Sequence, residues 1–276
     1  MTFIIAEIGI NHNGSIELAK KLIDAAKWSG ADAVKFQKRT VEVVVPVSER
    51  SKPRKTPWGE ISYFDYKNKI EFGKDEYDEI DAHCRKLDIP WFASAWDSQA
   101  QDFLKQYNLT WNKIASAMAT NLPFVRQVGL EHKWVFLSTG MCTLPEIAAA
   151  VLVLQELACN VTLMHTVSTY PADENTLNLA CIKTLKERFN LPVGYSGHEP
   201  SVSPSVIAVA LGAVAVERHL TLDRSMFGTD QAASLEPIAF YNMVNQIRKI
   251  PKIVGDGQNR ILPAEAEVAK KLRYWL

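Results

Sequence analysis

Two histidines and two lysines are the residues of this sequence best placed to do chemistry. His198 closes the run LPVGYSGH and His219 closes AVAVERH, with a helix-like SVSPSVIAVALG between them. Two short apolar runs joined by a helical crossover are the pattern of neighbouring parallel strands. Such strands would bring both imidazoles to one edge of the sheet, and two neutral imidazoles there begin a metal site. Glu217 and Asp230 are carboxylates close enough in sequence to join them. Lys35 and Lys113 stand inside the strand-like runs DAVKFQ and WNKIAS, where an unpaired ammonium would be costly to bury. Either they close structural salt bridges or, with serines at several strand ends, they cradle a phosphate or carboxylate.

The elements that must position these groups alternate along the chain. β-Rich runs fall at 3–9, 33–37, 90–95, 111–115, 134–139, 161–166, 192–196 and 213–219. Helix-like stretches fall at 16–29, 75–87, 98–106, 121–129, 144–157, 177–189, 203–211 and 236–249. In 16–29 the apolar residues Ile16, Leu18, Ala19, Leu22, Ile23 and Ala26 favour one face at helical spacing. Eight alternating units predict a parallel α/β fold, a single-domain (β/α)8 TIM barrel, with an open doubly wound sheet as the alternative. GINHNG after the first strand lacks the G-x-G-x-x-G spacing of a dinucleotide fold.

A barrel keeps its active site at the carboxyl ends of its strands, so the strand ends become a site list. They give Glu7, Lys35, Gln37, Ser94, Lys113, Ser116, Ser138, His165, Ser168, Ser196, His198 and His219. Glu7 is a candidate general base, a binder of a substrate hydroxyl, or a partner for Lys35. His12 lies in a turn and is a weaker metal candidate, while His83 and His132 read as surface residues. The Ser138-Thr139-Gly140 step opens towards a helix and offers backbone donors. Residues 38–73 form an insertion too long for an ordinary βα loop. Arg39, Arg50, Arg54, Tyr63 and Tyr66 give it the character of a lid or substrate wall.

The bulk properties exclude several classes. Among 276 residues, Lys plus Arg and Asp plus Glu are 31 each, so no net field draws nucleic acid or an anionic membrane. An anionic substrate must be held by local groups. No apolar run approaches transmembrane length, and no leader is expected at the amino end. The four scattered cysteines fit a reduced, cytoplasmic setting.

AEIGINHNGS, AVKFQ, KIAS, LSTGM, HTVSTYP, GYSGH and ALGAVAVERHLTLD…GTDQAASLEP together resemble the sialic acid (N-acetylneuraminate) synthase family, in order from about residue 3 to 270. The resemblance implies a (β/α)8 barrel that condenses phosphoenolpyruvate with an aldose, N-acetylmannosamine or a related sugar. The products would be a 2-keto-3-deoxy sugar acid and phosphate. It implies a divalent metal, Mn2+ first with Mg2+ or Co2+ as alternatives, on His198 and His219. It puts phosphoenolpyruvate on Lys35, Lys113, Ser116, Ser138, Ser168 and Ser196, and the sugar on Glu7, Gln37, Tyr170 and Asp230. A homo-oligomer, dimer or tetramer, is also implied. Typical members continue into a small C-terminal antifreeze-like domain; this sequence ends soon after the barrel, and a single domain is expected. It departs from the family pattern at Ala95, Ala117-Met118, Gly197 and Thr229. Two other readings stay open: a lyase or aldolase forming a Schiff base through Lys35 or Lys113, and an inactive sugar-binding barrel.

Overall fold

The computed structural model describes residues 1–275. Its strands are β1 (Phe3–Gly9), β2 (Ala33–Lys38), β3 (Pro53–Thr56), β4 (Gly59–Ser62), β5 (Trp91–Ala95), β6 (Trp111–Ile114), β7 (Trp134–Ser138), β8 (Val161–Thr166), β9 (Val193–Gly197) and β10 (Ala215–His219). Eight of them close a parallel barrel in the order β1-β10-β9-β8-β7-β6-β5-β2, and β3 and β4 pair separately as a hairpin. This is the expected (β/α)8 TIM barrel, with each barrel strand within about two residues of its sequence position. Helices follow every barrel strand, and a further short one spans Pro263–Leu272. Among the described residues no helix is long and apolar enough to cross a membrane, and all four cysteines are free thiols.

Local chemistry explains the elements. The helix Ile16–Trp28 starts where the Ser15 hydroxyl accepts the Leu18 N–H, and it buries Ala19, Leu22, Ile23 and Ala26, one face at helical spacing. The strands are buried on both faces, which is why they read as continuous apolar runs. Side chains alternate along each strand between the barrel interior and the surrounding helices. Registers then decide which inward residues meet. Glu7 lies beside Lys35 on β2 and beside His219 on β10, Ser94 lies beside Lys113, and Glu217 lies beside Ser196.

The insertion after β2 contains the short helices Val41–Val44 and Val47–Arg50, the β3–β4 hairpin, and the helix Tyr63–Ile70. It has its own small core: Tyr66 and Ile70 pack with Ile10 from the turn after β1 and with Phe227 from the loop after β10. Its two ends are clasped. Lys38 Nζ donates to Glu71 (2.9 Å) and to the Phe72 carbonyl (2.7 Å), while the Arg39 N–H donates to the same carboxylate. His12 stacks on Phe72 with ring centroids 3.9 Å apart and accepts the Gly14 N–H at Nδ1. His12 is therefore a packing residue, and metal ligation is not its role. His83 pairs with Asp24 and His132 meets the Leu157 carbonyl on the outer surface, as the sequence implied.

Burial holds His12 neutral, with its pKa lowered to about 3. Folded and unfolded chains bind the same number of protons there above about pH 6.5. As pH falls from about 6.5 towards 3 the unfolded chain gains a proton that the folded chain refuses, and stability drops by about 1.4 kcal/mol per unit. Urea denaturation of the wild type and of His12→Asn at pH 7.5 and 5 is expected to show a shallower acid loss in the variant. Equal losses would show that His12 stays chargeable in the fold.

Candidate active site

The carboxyl mouth of the barrel holds a cavity of about 130 Å3, and its walls are built from inward-facing strand ends. Glu7, Lys35, Gln37, Ser94, Lys113, Ser116, Ser138, Ser168, Tyr170, Ser196, His198 and His219 all line it. Of the strand-end candidates and the sugar contacts named from the sequence, all but His165 and Asp230 are thus brought together. Asp230 does not line it, but stands just outside with a carboxylate oxygen 3.9 Å from His219 Nδ1. A larger groove of about 900 Å3 runs along the outer flank past Asp78 and Asp81. Two of its carboxylates are already taken, Asp78 by Lys74 and Tyr107 and Asp81 by Trp91.

At the floor four charges interlock. Lys35 Nζ lies 2.7 Å from Glu7 and 3.6 Å from Glu217, and Lys113 Nζ lies 2.8 Å from Glu217. All four side chains are 6 % exposed or less. Ser196 donates to Glu217 (3.2 Å), and Gln37 donates to Glu7 (2.8 Å). Burial alone would raise the Glu217 pKa, but the Lys113 and Lys35 ammoniums outweigh it and bring it down to about 2. Burial opposes the charge on Lys35, yet Glu217 and Glu7 lift its pKa above the usual lysine value. Lys113 goes the other way: burial, with Lys35 adding, outweighs Glu217 and lowers it. The reading of Glu217 as a companion of the metal histidines is corrected here. It lies one inward layer below His219 and its oxygens are spent on Lys113, Lys35 and Ser196.

Beside the lysines the serines converge. The Gly140 N–H donates to Ser116 Oγ (3.1 Å), and a Cβ at 140 would stand 2.3 Å from Ser168 Oγ and 2.9 Å from Ser116 Oγ. Only glycine lets these hydroxyls approach. The Ser138-Thr139-Gly140 step therefore closes onto serines and does not serve as a helix start, since the helix itself begins at Leu144.

On the other wall the imidazoles of His198 and His219 are 5.5 Å apart by centroid, with the Tyr170 ring 4.1 Å from His198. His198 Nδ1 meets the Val167 carbonyl at 2.7 Å, which makes Nδ1 the donor and leaves Nε2 with its lone pair. Burial, with His219 adding, lowers the His198 pKa to about 3. His219 Nδ1 is buried with no hydrogen-bond partner. The neutral His198 imidazole, with Nε2 left free, and the buried His219 imidazole, with its orphaned Nδ1, fit a divalent transition metal as part of its ligand set. Among the described residues no three His, Cys, Asp or Glu side chains gather as a ligand cluster, so water or substrate would complete the set.

Parity corrects other expectations. His165 points outward from β8 and meets the Leu177 carbonyl at 2.7 Å; its neighbour Thr166 lines the cavity instead. Ala95 is fully buried and is not among the cavity residues, so that departure leaves the cavity untouched. Ala117 does line the wall, in a short turn over Ser116–Met118. The sequence reading missed Thr166, Trp96 and Met141, all of which line the cavity; inward parity alone would have found Thr166.

Gly197 has a structural reason. A Cβ there would lie 2.6 Å from the Tyr195 ring and 2.7 Å from a Glu199 carboxylate oxygen. Glu199 pairs with Arg218 at 2.8 Å, both side chains fully buried, and accepts the Tyr195 hydroxyl. Arg218 also donates to the Ser201 carbonyl, the Ser205 hydroxyl and the Glu199 carbonyl. This cluster fixes the loop between the two histidine-bearing strands.

Residues 22–259 match the NeuB family. The chain belongs to that family. It is similar to the N,N'-diacetyllegionaminic acid synthase of Campylobacter jejuni, 39 % identical over 269 residues, covering 96 % of this chain and 80 % of that one. It is 35 % identical over 273 residues to the N-acetylneuraminate-9-phosphate synthase of Mus musculus, covering 98 % of this chain and 76 % of that one. Among solved structures, the N-acetylneuraminic acid (sialic acid) synthetase of Leptospira borgpetersenii serovar Hardjo-bovis, in complex with citrate, superposes with a TM-score of 0.86 at 32 % identity. That match covers 99 % of this chain and 93 % of that one.

In this NeuB-family chain, Glu217→Gln would leave the Lys35 and Lys113 ammoniums buried with only the Glu7 carboxylate to balance them. A cost of about 3–5 kcal/mol is expected, read as a fall in the urea midpoint. Glu217→Gln with Lys113→Met removes the stranded charge and should recover more than half of the loss. No recovery would show that the cost arises from packing and not from charge.

Proposed function

We propose that this protein condenses phosphoenolpyruvate with an aldose of the N-acetylmannosamine type, giving a 2-keto-3-deoxy sugar acid of the sialic acid kind and releasing phosphate. The observation that carries the reading is that Lys35, Lys113 and the Ser116–Ser168 pair line the same cavity as the His198 and His219 imidazoles. Membership of the NeuB family and likeness to synthases of such acids support it.

Each group then has a task. Lys35, Lys113 and the serines hold the phosphate and carboxylate of the enol phosphate and fix its orientation. A divalent ion on His198 and His219, Mn2+ foremost and Mg2+ or Co2+ as alternatives, would supply Lewis acidity at the aldehyde oxygen. C3 of the enol phosphate attacks the aldehyde carbon, which makes the C–C bond and leaves positive character at C2. Water adds at C2, and the C2–O bond to phosphate then breaks, so the bridging oxygen leaves with phosphate. Glu7, held by Gln37 and Lys35 at the β1–β10 register with His219, is positioned to take the water proton. Tyr170, packed on His198, walls the sugar side and keeps the aldehyde against the imidazoles.

The test is phosphate release from phosphoenolpyruvate with Mn2+ and a panel of aldoses, with mass spectrometry of each product. Chelator and His219→Ala should each lower the rate about a hundredfold or more, since even outer partners of metal ligands account for 10–100-fold. Release of phosphate without a condensed product, or product unaffected by both controls, would overturn the reading. Borohydride trapping of a lysine adduct would favour the Schiff-base lyase.

A further inference from the structure

Among the cations of the insertion without a carboxylate partner, Lys55 and Lys69 are exposed and four are half-buried: Arg39, Arg50, Arg54 and Lys67. Among the described residues none of the four has an acidic partner within ion-pair distance. Arg50 is spent on the Val45 and Glu42 carbonyls and is structural, which leaves Arg39, Arg54 and Lys67.

The three converge on the mouth of the barrel. Arg39 donates to the Gln37 side-chain oxygen Oε1 and lies 4.2 Å over the Trp96 ring, and both of those residues line the cavity. Arg54 lies 4.2 Å over the Tyr66 ring, and Lys67 Nζ is 5.7 Å from the same ring. Tyr66 packs edge-on against Phe227 at 5.9 Å, three residues before Asp230. Arg54 Nε is buried without a hydrogen-bond partner. Asp230 is the carboxylate nearest in the fold, but one oxygen accepts from Thr229 and the other is turned to His219. Glu71 is spent on Lys38 and the Arg39 N–H. Burial, then Arg39 and Arg54 against Asp230, lowers the Lys67 pKa to about 8, as expected where cations crowd without a counterion.

We infer that Arg39, Arg54 and Lys67 form an anion subsite at the barrel mouth that holds a second negative group, a phosphate or carboxylate, at the end of the aldose away from its aldehyde. This rests on the condensation proposed above, which places the aldehyde at the imidazoles and the rest of the sugar towards the insertion. Unsatisfied guanidinium and ammonium donors in a partly dry wall favour an anion far more than a hydroxyl. The subsite thereby selects the acceptor among sugars that present the same aldehyde.

The test compares N-acetylmannosamine, its 6-phosphate and the corresponding uronic acid, by calorimetric binding to the Mn2+-loaded protein and by kcat/KM for phosphate release. An anionic aldose is expected to exceed the neutral one by about tenfold or more in affinity and in kcat/KM. The two charged arms tell phosphate from carboxylate. Arg54→Gln and Lys67→Gln should collapse the ratio of charged to neutral aldose, and Arg54→Lys should restore part of it. A folding defect would lower both sugars and leave the ratio standing. Equal use of charged and neutral aldoses by the wild type, or a ratio unchanged in Lys67→Gln, would overturn the subsite. Turnover of neutral aldoses alone leaves the condensation intact and removes only the subsite. If no aldose is turned over, the condensation falls, and the binding ratio still decides the subsite.

Discussion

Four buried charges at the floor of the barrel constrain everything above them. Lys35 and Lys113 can be buried only because Glu7 and Glu217 stand beside them, and Glu217 stays ionised against burial because the ammoniums are there. The set pairs two ammoniums with two carboxylates, so a doubly or triply charged enol phosphate entering the cavity must share the lysines with the carboxylates already on them. Glu217, held down to about 2, is least able to give way. The excess negative charge has to be met from elsewhere in the cavity. The two imidazoles that share the cavity with the lysines are where a divalent ion would meet it, and this electrostatic balance is the physical reason to join anion cradle and metal site in one mechanism.

The same set shows why the barrel's register matters. Glu7 reaches Lys35 because β1 and β2 pair with those residues abreast, and it reaches His219 because β1 and β10 do the same. A shift of one residue in either pairing would turn one member outward among the helices and strand its partner. Structural specificity and chemical positioning thus rest on the same hydrogen-bonded ladders.

Much of this was legible in the sequence, and the rest failed for identifiable reasons. Alternating apolar runs and helical faces located the eight strands because buried parallel strands must be apolar and crossovers must be amphipathic. The polar residues at the strand ends stood out against that background, and most proved to line one cavity. Strand ends alone do not state parity, however. His165 looked like a rim residue because it nears the end of β8, yet it faces Leu177 while Thr166 takes the inward place. Glu217 was grouped with the histidines by proximity in sequence, whereas a spacing of two from His219 puts it one layer deeper on the same face. Trp96 and Met141 reach the cavity from loops, whose paths no periodicity encodes. Within the insertion, composition flagged arginines without distinguishing them, and it passed over Lys67. Packing separates Arg50, which satisfies carbonyls, from Arg54, which lies over the Tyr66 ring with a buried Nε that has no hydrogen-bond partner.

The departures from the family pattern can be sorted by the same reasoning. Ala95 faces away from the cavity, so its loss of a hydroxyl changes nothing the substrate would meet. Gly197 is different, because the space a larger residue would need is already filled by Glu199 in its pair with Arg218. Arg218 lies between Glu217 and His219 on β10, while Glu199 directly follows His198. The buried pair therefore ties the strand that carries one histidine to the residue adjoining the other. An aspartate at 197 would put a second carboxylate beside Glu199 with one guanidinium to serve both, and the loop would have to move. Gly197 and Glu199 are therefore linked sterically: the missing side chain at 197 leaves the space in which Glu199 pairs with Arg218 and holds the loop between the two histidine-bearing strands from outside the barrel.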